Sequence, residues 1–116
     1  RLARLTQSDF SREMALLALT RLGDEEVELG VARYSTNPDG ETCEFALVVG
    51  DAWQRQGLGH KLMSALMDAA RAQGIKRMEG EVMPGNHAML KLAQSLGFDS
   101  EAHPEDAGVR RIVRAL

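Results

Sequence analysis

From Val48 to Leu66 the chain runs Val-Val-Gly-Asp-Ala-Trp-Gln-Arg-Gln-Gly-Leu-Gly-His-Lys-Leu-Met-Ser-Ala-Leu. An apolar run ends at Gly50, a loop follows, and from Leu58 the apolar residues recur at helical spacing. The segment Gln54-Arg55-Gln56-Gly57-Leu58-Gly59-His60 therefore joins a buried strand to a helix. Such a junction suits a phosphate. Unpaired N–H groups of the first helical turn point out of the loop, and the helix dipole adds partial positive charge. Gly57 and Gly59 take Cβ atoms out of an anion's path, and Arg55 adds a full charge. A glycine pair before a helix does not by itself name the ligand. A dinucleotide fingerprint needs a third glycine where Leu62 stands, and a P-loop needs Gly-Lys-Ser/Thr where the chain has Gly59-His60-Lys61.

Upstream, Thr42 to Val49 reads as a buried strand entered from the turn Asn37-Pro38-Asp39-Gly40. Before it, Met14 to Leu22 is a continuous apolar run whose periodicity does not separate strand from helix. The turn Gly23 to Glu26 and the β-branched and aromatic residues of Val27 to Tyr34 favour a hairpin. Thr6 to Glu13 is polar, with Ser8 and Asp9 as candidate helix caps. Downstream, Leu58, Leu62, Ala65, Leu66 and Ala69 define one face of a helix reaching about Gln73, with Gly74 at its C-terminus. Arg77 to Met83 predicts a strand closed by Pro84-Gly85. Asn86 caps a helix with apolar residues Met89, Leu92, Ala93 and Leu96, ended by Gly97. Phe98 to Ala102 and Val109 to Leu116 are short final candidates around the His103-Pro104-Glu105-Asp106 break. Hairpins first, then strands alternating with helices, give a mixed α/β domain.

Composition narrows the function. The 116 residues suffice for one domain with its own core; 44% are hydrophobic and 27% charged, ordinary for a globular protein. A net charge of -3, with the basic residues scattered, argues against nucleic acid as the main partner. The single cysteine, Cys43, excludes an internal disulfide and any multi-cysteine metal site; no metal is expected. No apolar run approaches the roughly 20 residues that span a bilayer, and Arg1 to Asp9 lacks a signal-peptide pattern, so the cytoplasm is the expected location. The chain opens without Met and is expected to be a C-terminal portion of a longer protein.

Gln54-Arg55-Gln56-Gly57-Leu58-Gly59 resembles the pyrophosphate motif Gln/Arg-x-x-Gly-x-Gly/Ala of the GNAT acetyltransferase superfamily, at every fixed position. Val48-Val49 stands where the family's splayed strand carries the pantetheine arm. Leu62, Leu66, Ala70-Arg71 and Gly74 resemble its motif helix, and Asn86, Ala88 and Leu96-Gly97-Phe98 its second signature. Arg12-Glu13-Met14-Ala15, Glu44-Phe45-Ala46, the helix with Met63 and Met67, and Asn86-His87-Ala88-Met89-Leu90 are similar to the catalytic domain of bacterial Pat-type protein lysine acetyltransferases.

This resemblance implies the GNAT fold: an α/β (α+β) domain over residues 1–116, with a mostly antiparallel twisted sheet, flanking helices and splayed central strands. The family's first strand and helix are expected to be missing. It implies acetyl-CoA as cosubstrate, contacted by Leu47, Val48, Val49, Gln54, Arg55, Gln56, Gly57, Leu58, Gly59, His60 and Asn86. It implies a protein substrate with an acceptor lysine, on a metabolic enzyme such as an acyl-CoA synthetase. Two rival readings stay open: acetylation of a small amine or N-terminus, and a non-catalytic acyl-CoA sensor.

Acetyl transfer to an ammonium needs a general base. The resemblance places it at Glu44; Glu79 and Glu81, on one face of the next strand, and Glu41 in its loop are alternatives. The oxyanion donor is expected to be the N–H of Val48, where the strands diverge. Many family members carry a thiolate-protonating tyrosine at the position of Ala93, and the one tyrosine here, Tyr34, lies in an early strand. His60 and His87 read as surface histidines, Cys43 as a buried structural thiol, and Met63, Met67, Met78, Met83 and Met89 as flexible core filling.

Overall fold

The computed structural model describes residues 4–10, 12–50 and 57–116. Its strands are β1 (Arg4–Phe10), β2 (Glu13–Leu22), β3 (Glu25–Thr36), β4 (Thr42–Val49), β5 (Arg77–Val82), β6 (Asp99–Ala102) and β7 (Arg110–Ala115). The helices are α1 (Leu58–Ala72) and α2 (His87–Ser95). The strands form one seven-stranded sheet in the order β1-β2-β3-β4-β5-β7-β6. Every pairing is antiparallel except β4 with β5, which is parallel and bridged by α1. This is the expected mixed, mostly antiparallel architecture. Among the described residues no helix is long and apolar enough to cross a membrane.

The expected helix start at Ser8 and Asp9 is replaced by a strand. β1 pairs continuously with β2, from Arg4↔Leu19 to Phe10↔Glu13. A full ladder overrides the local capping preference of Ser and Asp, which is worth only about 1 kcal/mol. The ambiguous run after it resolves as strand for a similar reason. Met14, Leu16, Ala18 and Thr20 are buried in strict alternation, which a helix could not produce. The β2–β3 hairpin closes through Gly23-Asp24, with Gly23 at φ 65° in the region that suits two-residue hairpin loops. Before β4, Asp39 Oδ1 accepts from the N–H groups of Glu41 and Thr42 at 2.8 and 2.9 Å. These donors hold the Asp39 carboxyl below its ordinary range.

α1 lies across β2, β3 and β4 and buries Leu62, Met63, Leu66, Met67 and Ala70. The expected stripe is present, but its centre is rotated toward the methionines. Met63, Met67 and Met78 are core residues, whereas Met83 is 62% exposed and so is not core filling. α2 is held at its start by Asn86, whose Oδ1 accepts from Met89 N–H at 3.1 Å. At its other end Arg114 Nε donates to the Leu96 carbonyl at 3.2 Å, satisfying an orphan helix acceptor.

The feature that positions the site is an interrupted pairing. β4 and β5 are in register only at Thr42↔Arg77, Cys43↔Met78 and Glu44↔Glu79. Beyond that rung β4 continues to Val49 along β3 and β5 to Val82 along β7, but the two no longer pair with each other, so the central strands splay. The Phe45 ring sits over Gly80, where an added Cβ would lie 2.4 Å from Phe45 Cε2. Phe45 also meets Phe98 with ring centroids 5.4 Å apart. Only glycine at position 80 lets the ring occupy that notch. We therefore expect Gly80→Ala to destabilise the domain by about 1–3 kcal/mol, the usual cost of overpacking. Combining it with Phe45→Leu should remove most of the added cost, because the two effects share one contact. Chemical denaturation of the single and double variants measures this, and strict additivity would show that the ring does not hold the notch.

Candidate active site

Past the last β4–β5 rung the strands enclose a cleft of about 680 Å³ lined by Glu44, Phe45, Leu47, Glu81, Met89 and His103, among others. Which backbone groups enter it follows from the β3–β4 ladder. Gly50 N–H donates to the Leu29 carbonyl and Asn37 N–H to the Thr42 carbonyl. In the unbroken register between them, even-numbered residues of β4 turn their N–H and C=O toward β3, and odd-numbered ones toward β5. The Val48 carbonyl confirms the parity, since an added Cβ on Gly30 would lie 2.8 Å from it. The Val48 N–H is thus directed to β3 and is not the free donor expected there. Leu47 N–H, one residue earlier, is directed into the opening. Val48 is still 62% exposed, on the face away from α1.

The start of α1 packs beside Leu47, a residue of the cleft wall. Gly57 is the N-cap of α1 at φ 77°, no side chain caps it among the described residues, and no acidic residue occupies the first turn. The first helical bond is Lys61 N–H to the Gly57 carbonyl at 3.1 Å, so the N–H groups of Leu58, Gly59 and His60 lack helical acceptors. The arrangement fits an anion. The two glycines, however, differ in purpose. An added Cβ on Gly57 meets nothing within 4 Å, whereas one on Gly59 would lie 3.1 Å from Leu92 Cδ2 and 3.5 Å from Leu47 Cδ2. Gly57 supplies the left-handed turn, and Gly59 lets α1 pack against α2 and β4. Gln54, Arg55 and Gln56 lie outside the described residues. Asn86 lines the cleft with its oxygen engaged as the α2 cap. His60 and His87 are exposed at the helix starts.

The carboxylates divide sharply. Glu44 lies on the last rung, exposed on the face away from α1, and no ion pair engages it among the described residues. Glu79 is clamped, with Oε2 at 2.7 Å from Arg111 and Oε1 at 3.3 Å from Arg77. Both its oxygens serve guanidiniums, which leaves it poorly placed to take a proton. Glu81 accepts from His103 Nε2 at 2.9 Å. Glu41 pairs with Lys76 at 3.4 Å and does not line the cleft. His103, read from sequence only as part of a loop, is the residue that sequence reasoning missed. Nothing local marks it, because its partner lies 22 positions away. Tyr34 is buried, 4% exposed, and Ala93 is buried at 2%, so neither position faces the cleft.

The profile of the acetyltransferase (GNAT) family matches residues 4–98. The chain belongs to the GNAT acetyltransferase family. Acetyltransferase PA5475 of Pseudomonas aeruginosa is 34% identical over 106 residues, covering 91% of this chain and 57% of that protein. The L-methionine sulfoximine/L-methionine sulfone acetyltransferase of Salmonella typhimurium is 39% identical over 69 residues, 60% of this chain and 40% of that one. Among solved structures, the GNAT domain of S. lividans PAT superposes with a TM-score of 0.80 at 28% identity, covering 96% of this chain and 65% of that one. The GNAT chain thus spans less than two thirds of each of these relatives. The Pat-type resemblance read from the sequence agrees with the last of them.

One group beside the site is chemically silent. Cys43 is fully buried, and burial, then the charges of Glu79 and Glu44, push its thiol from 9.0 up to about 12. The thiolate fraction at pH 8 should therefore fall by about 10³, and iodoacetamide should label the native protein at least that much more slowly than the unfolded chain. The folded state holds this proton more tightly than the unfolded state does. Its stabilising contribution is full below pH 9 and is lost as pH rises toward 12. Cys43→Ala should remove that part of the alkaline decline, measured by denaturation as a function of pH.

Proposed function

We propose that this domain transfers the acetyl group of acetyl-CoA to an amine, with Glu44 as general base. The observation that carries this reading is the splayed end of β4. It brings to one cleft an inward-directed N–H at Leu47 and the carboxylate of Glu44, which no ion pair engages among the described residues, with the start of α1 packed beside Leu47.

Acetyl-CoA supplies the acyl group as a thioester. The N–H groups of Leu58, Gly59 and His60, with Arg55, hold its pyrophosphate, and the edge of β4 at Leu47 and Val49 guides the pantetheine arm. Leu47 N–H donates to the oxyanion that forms as the amine attacks. Glu44 takes the proton that the ammonium must lose. Tyr34 and Ala93 offer no acid to the leaving thiolate, which takes its proton from solvent.

The Pat-type resemblance and the likeness to the S. lividans PAT domain favour a protein lysine as acceptor, on a metabolic enzyme such as an acyl-CoA synthetase. A small amino-acid amine is the second reading, favoured by the similarity to the methionine sulfoximine acetyltransferase. Turnover with a panel of protein and small-amine acceptors separates the two. A sensor that binds acetyl-CoA without turnover would retire both.

Glu44→Gln keeps shape and removes basicity. Acetyl-CoA affinity should stay near wild type while kcat falls by about 10² or more. The deficit should shrink with rising pH, because more of the amine, with an ordinary pKa near 10.4 for lysine, then arrives neutral. Near wild-type turnover at pH 7 would remove Glu44 from the role. Separately, Arg55→Ala should weaken CoA and dephospho-CoA binding alike, by about 1–2 kcal/mol in calorimetry. A loss seen with CoA alone would move Arg55 to the 3′-phosphate.

A further inference from the structure

We propose that Glu81, oriented by His103, is the receptor for a positively charged acceptor amine. The inference rests on reading the cleft as the transfer site, and it adds the side from which the acceptor enters and its charge on arrival.

The geometry begins with a divided ladder. Across β5 and β7 the residue opposite Glu81 is Arg111. The guanidinium turns away from it, to Glu79 at 2.7 Å and Glu101 at 3.8 Å. Glu81 is left to His103. Glu105 N–H donates to His103 Nδ1 at 3.1 Å, so that nitrogen carries a lone pair. The ring proton of the neutral imidazole therefore sits on Nε2, and it is donated to Glu81 Oε1 at 2.9 Å. With both ring nitrogens committed, His103 has no lone pair left to act as base; it is a positioning residue. A neutral donor also leaves the charge of Glu81 intact. One carboxylate oxygen is held and the other has no partner among the described residues, on a side chain 64% exposed at the wall of the cleft.

Position supplies the rest. Glu81 lies two residues along β5 from Glu79, the register partner of Glu44, which is roughly 7 Å along the strand. Period-2 alternation puts Glu44, Glu79 and Glu81 on one face of the sheet, away from α1. The anion-binding helix start and the acceptor carboxylates thus occupy opposite faces, joined through the opening between β4 and β5. A neutral amine gains little from Glu81, whereas an ammonium gains a charge-assisted contact before its proton passes to Glu44.

The test uses the whole chain and two probes, Nα-acetyl-lysine methylamide and its neutral counterpart Nα-acetyl-norleucine methylamide. Their binding is followed by chemical-shift titration without acetyl-CoA. The wild-type protein should favour the lysine probe by about tenfold or more, and Glu81→Gln should erase the preference. His103→Phe should reduce it, and His103→Gln, which keeps a side-chain N–H donor, should restore it. In turnover, Glu81→Gln should raise KM for the lysine probe more than it lowers kcat. A wild-type protein with no preference, or a preference unchanged in Glu81→Gln, overturns the proposal. So does a fall in kcat at constant KM, which would make Glu81 the proton acceptor. Calorimetry with acetyl-CoA separates this from the reading beneath it. A protein that fails to bind acetyl-CoA yet shows the Glu81-dependent preference defeats the transfer reading and leaves the receptor standing.

Discussion

The site depends on β4 and β5 ceasing to pair after Glu44↔Glu79. A parallel ladder satisfies the N–H and C=O groups along both strands, and where it stops those groups need other partners. Phe45 marks the stop. Its ring lies where any side chain at position 80 would have to be, at the first position past the last rung. What remains is a polar edge inside an apolar fold, into which an extended ligand with amide groups can insert as a missing strand would.

The charges around that edge are sorted by partner rather than by position. Glu79 and Glu81 sit on the same face of one strand, yet Arg77 and Arg111 engage only the first, and Glu101 draws in both arginines at 3.9 and 3.8 Å. Such networks fix side chains more than they stabilise, because partly exposed pairs are worth little individually. The consequence here is selection. A clamped carboxylate is spent, whereas no arginine or lysine pairs with Glu44 or Glu81 among the described residues.

Much of this was legible in the chain. The helix starting at Leu58, the strand from Thr42 to Val49 and the Asn86 cap follow from period, turn chemistry and capping, which are local signals. Gly57 was legible as the turn into a helix, whereas Gln54, Arg55 and Gln56 lie outside the described residues. Three things were not. Strand β1 depended on a ladder with β2 that Ser8 and Asp9 do not announce. The donor at the splay depended on ladder parity, set by Gly50 and Asn37 on either side of β4, and so fell to Leu47 instead of Val48. His103 depended on the β5–β7–β6 order, which carries the loop after β6 back beside Glu81.

Gly59 shows how the two halves of the site are tied together. Its missing side chain lets the first turn of α1 rest on Leu47 and Val49 of β4 and on Leu92 of α2. The N–H groups proposed to hold the pyrophosphate and the N–H proposed to meet the oxyanion therefore belong to one packed unit. Their separation is set by close-packed side chains, and cores of that density resist small displacements. For a reaction whose acceleration comes largely from holding two groups in attack geometry, that rigidity is the useful property. A bulkier residue at position 59 would shift α1 against β4, even with every N–H of the first helical turn still in place. The second glycine of the motif is thus a packing requirement, and the first a turn requirement, though in sequence the two look alike.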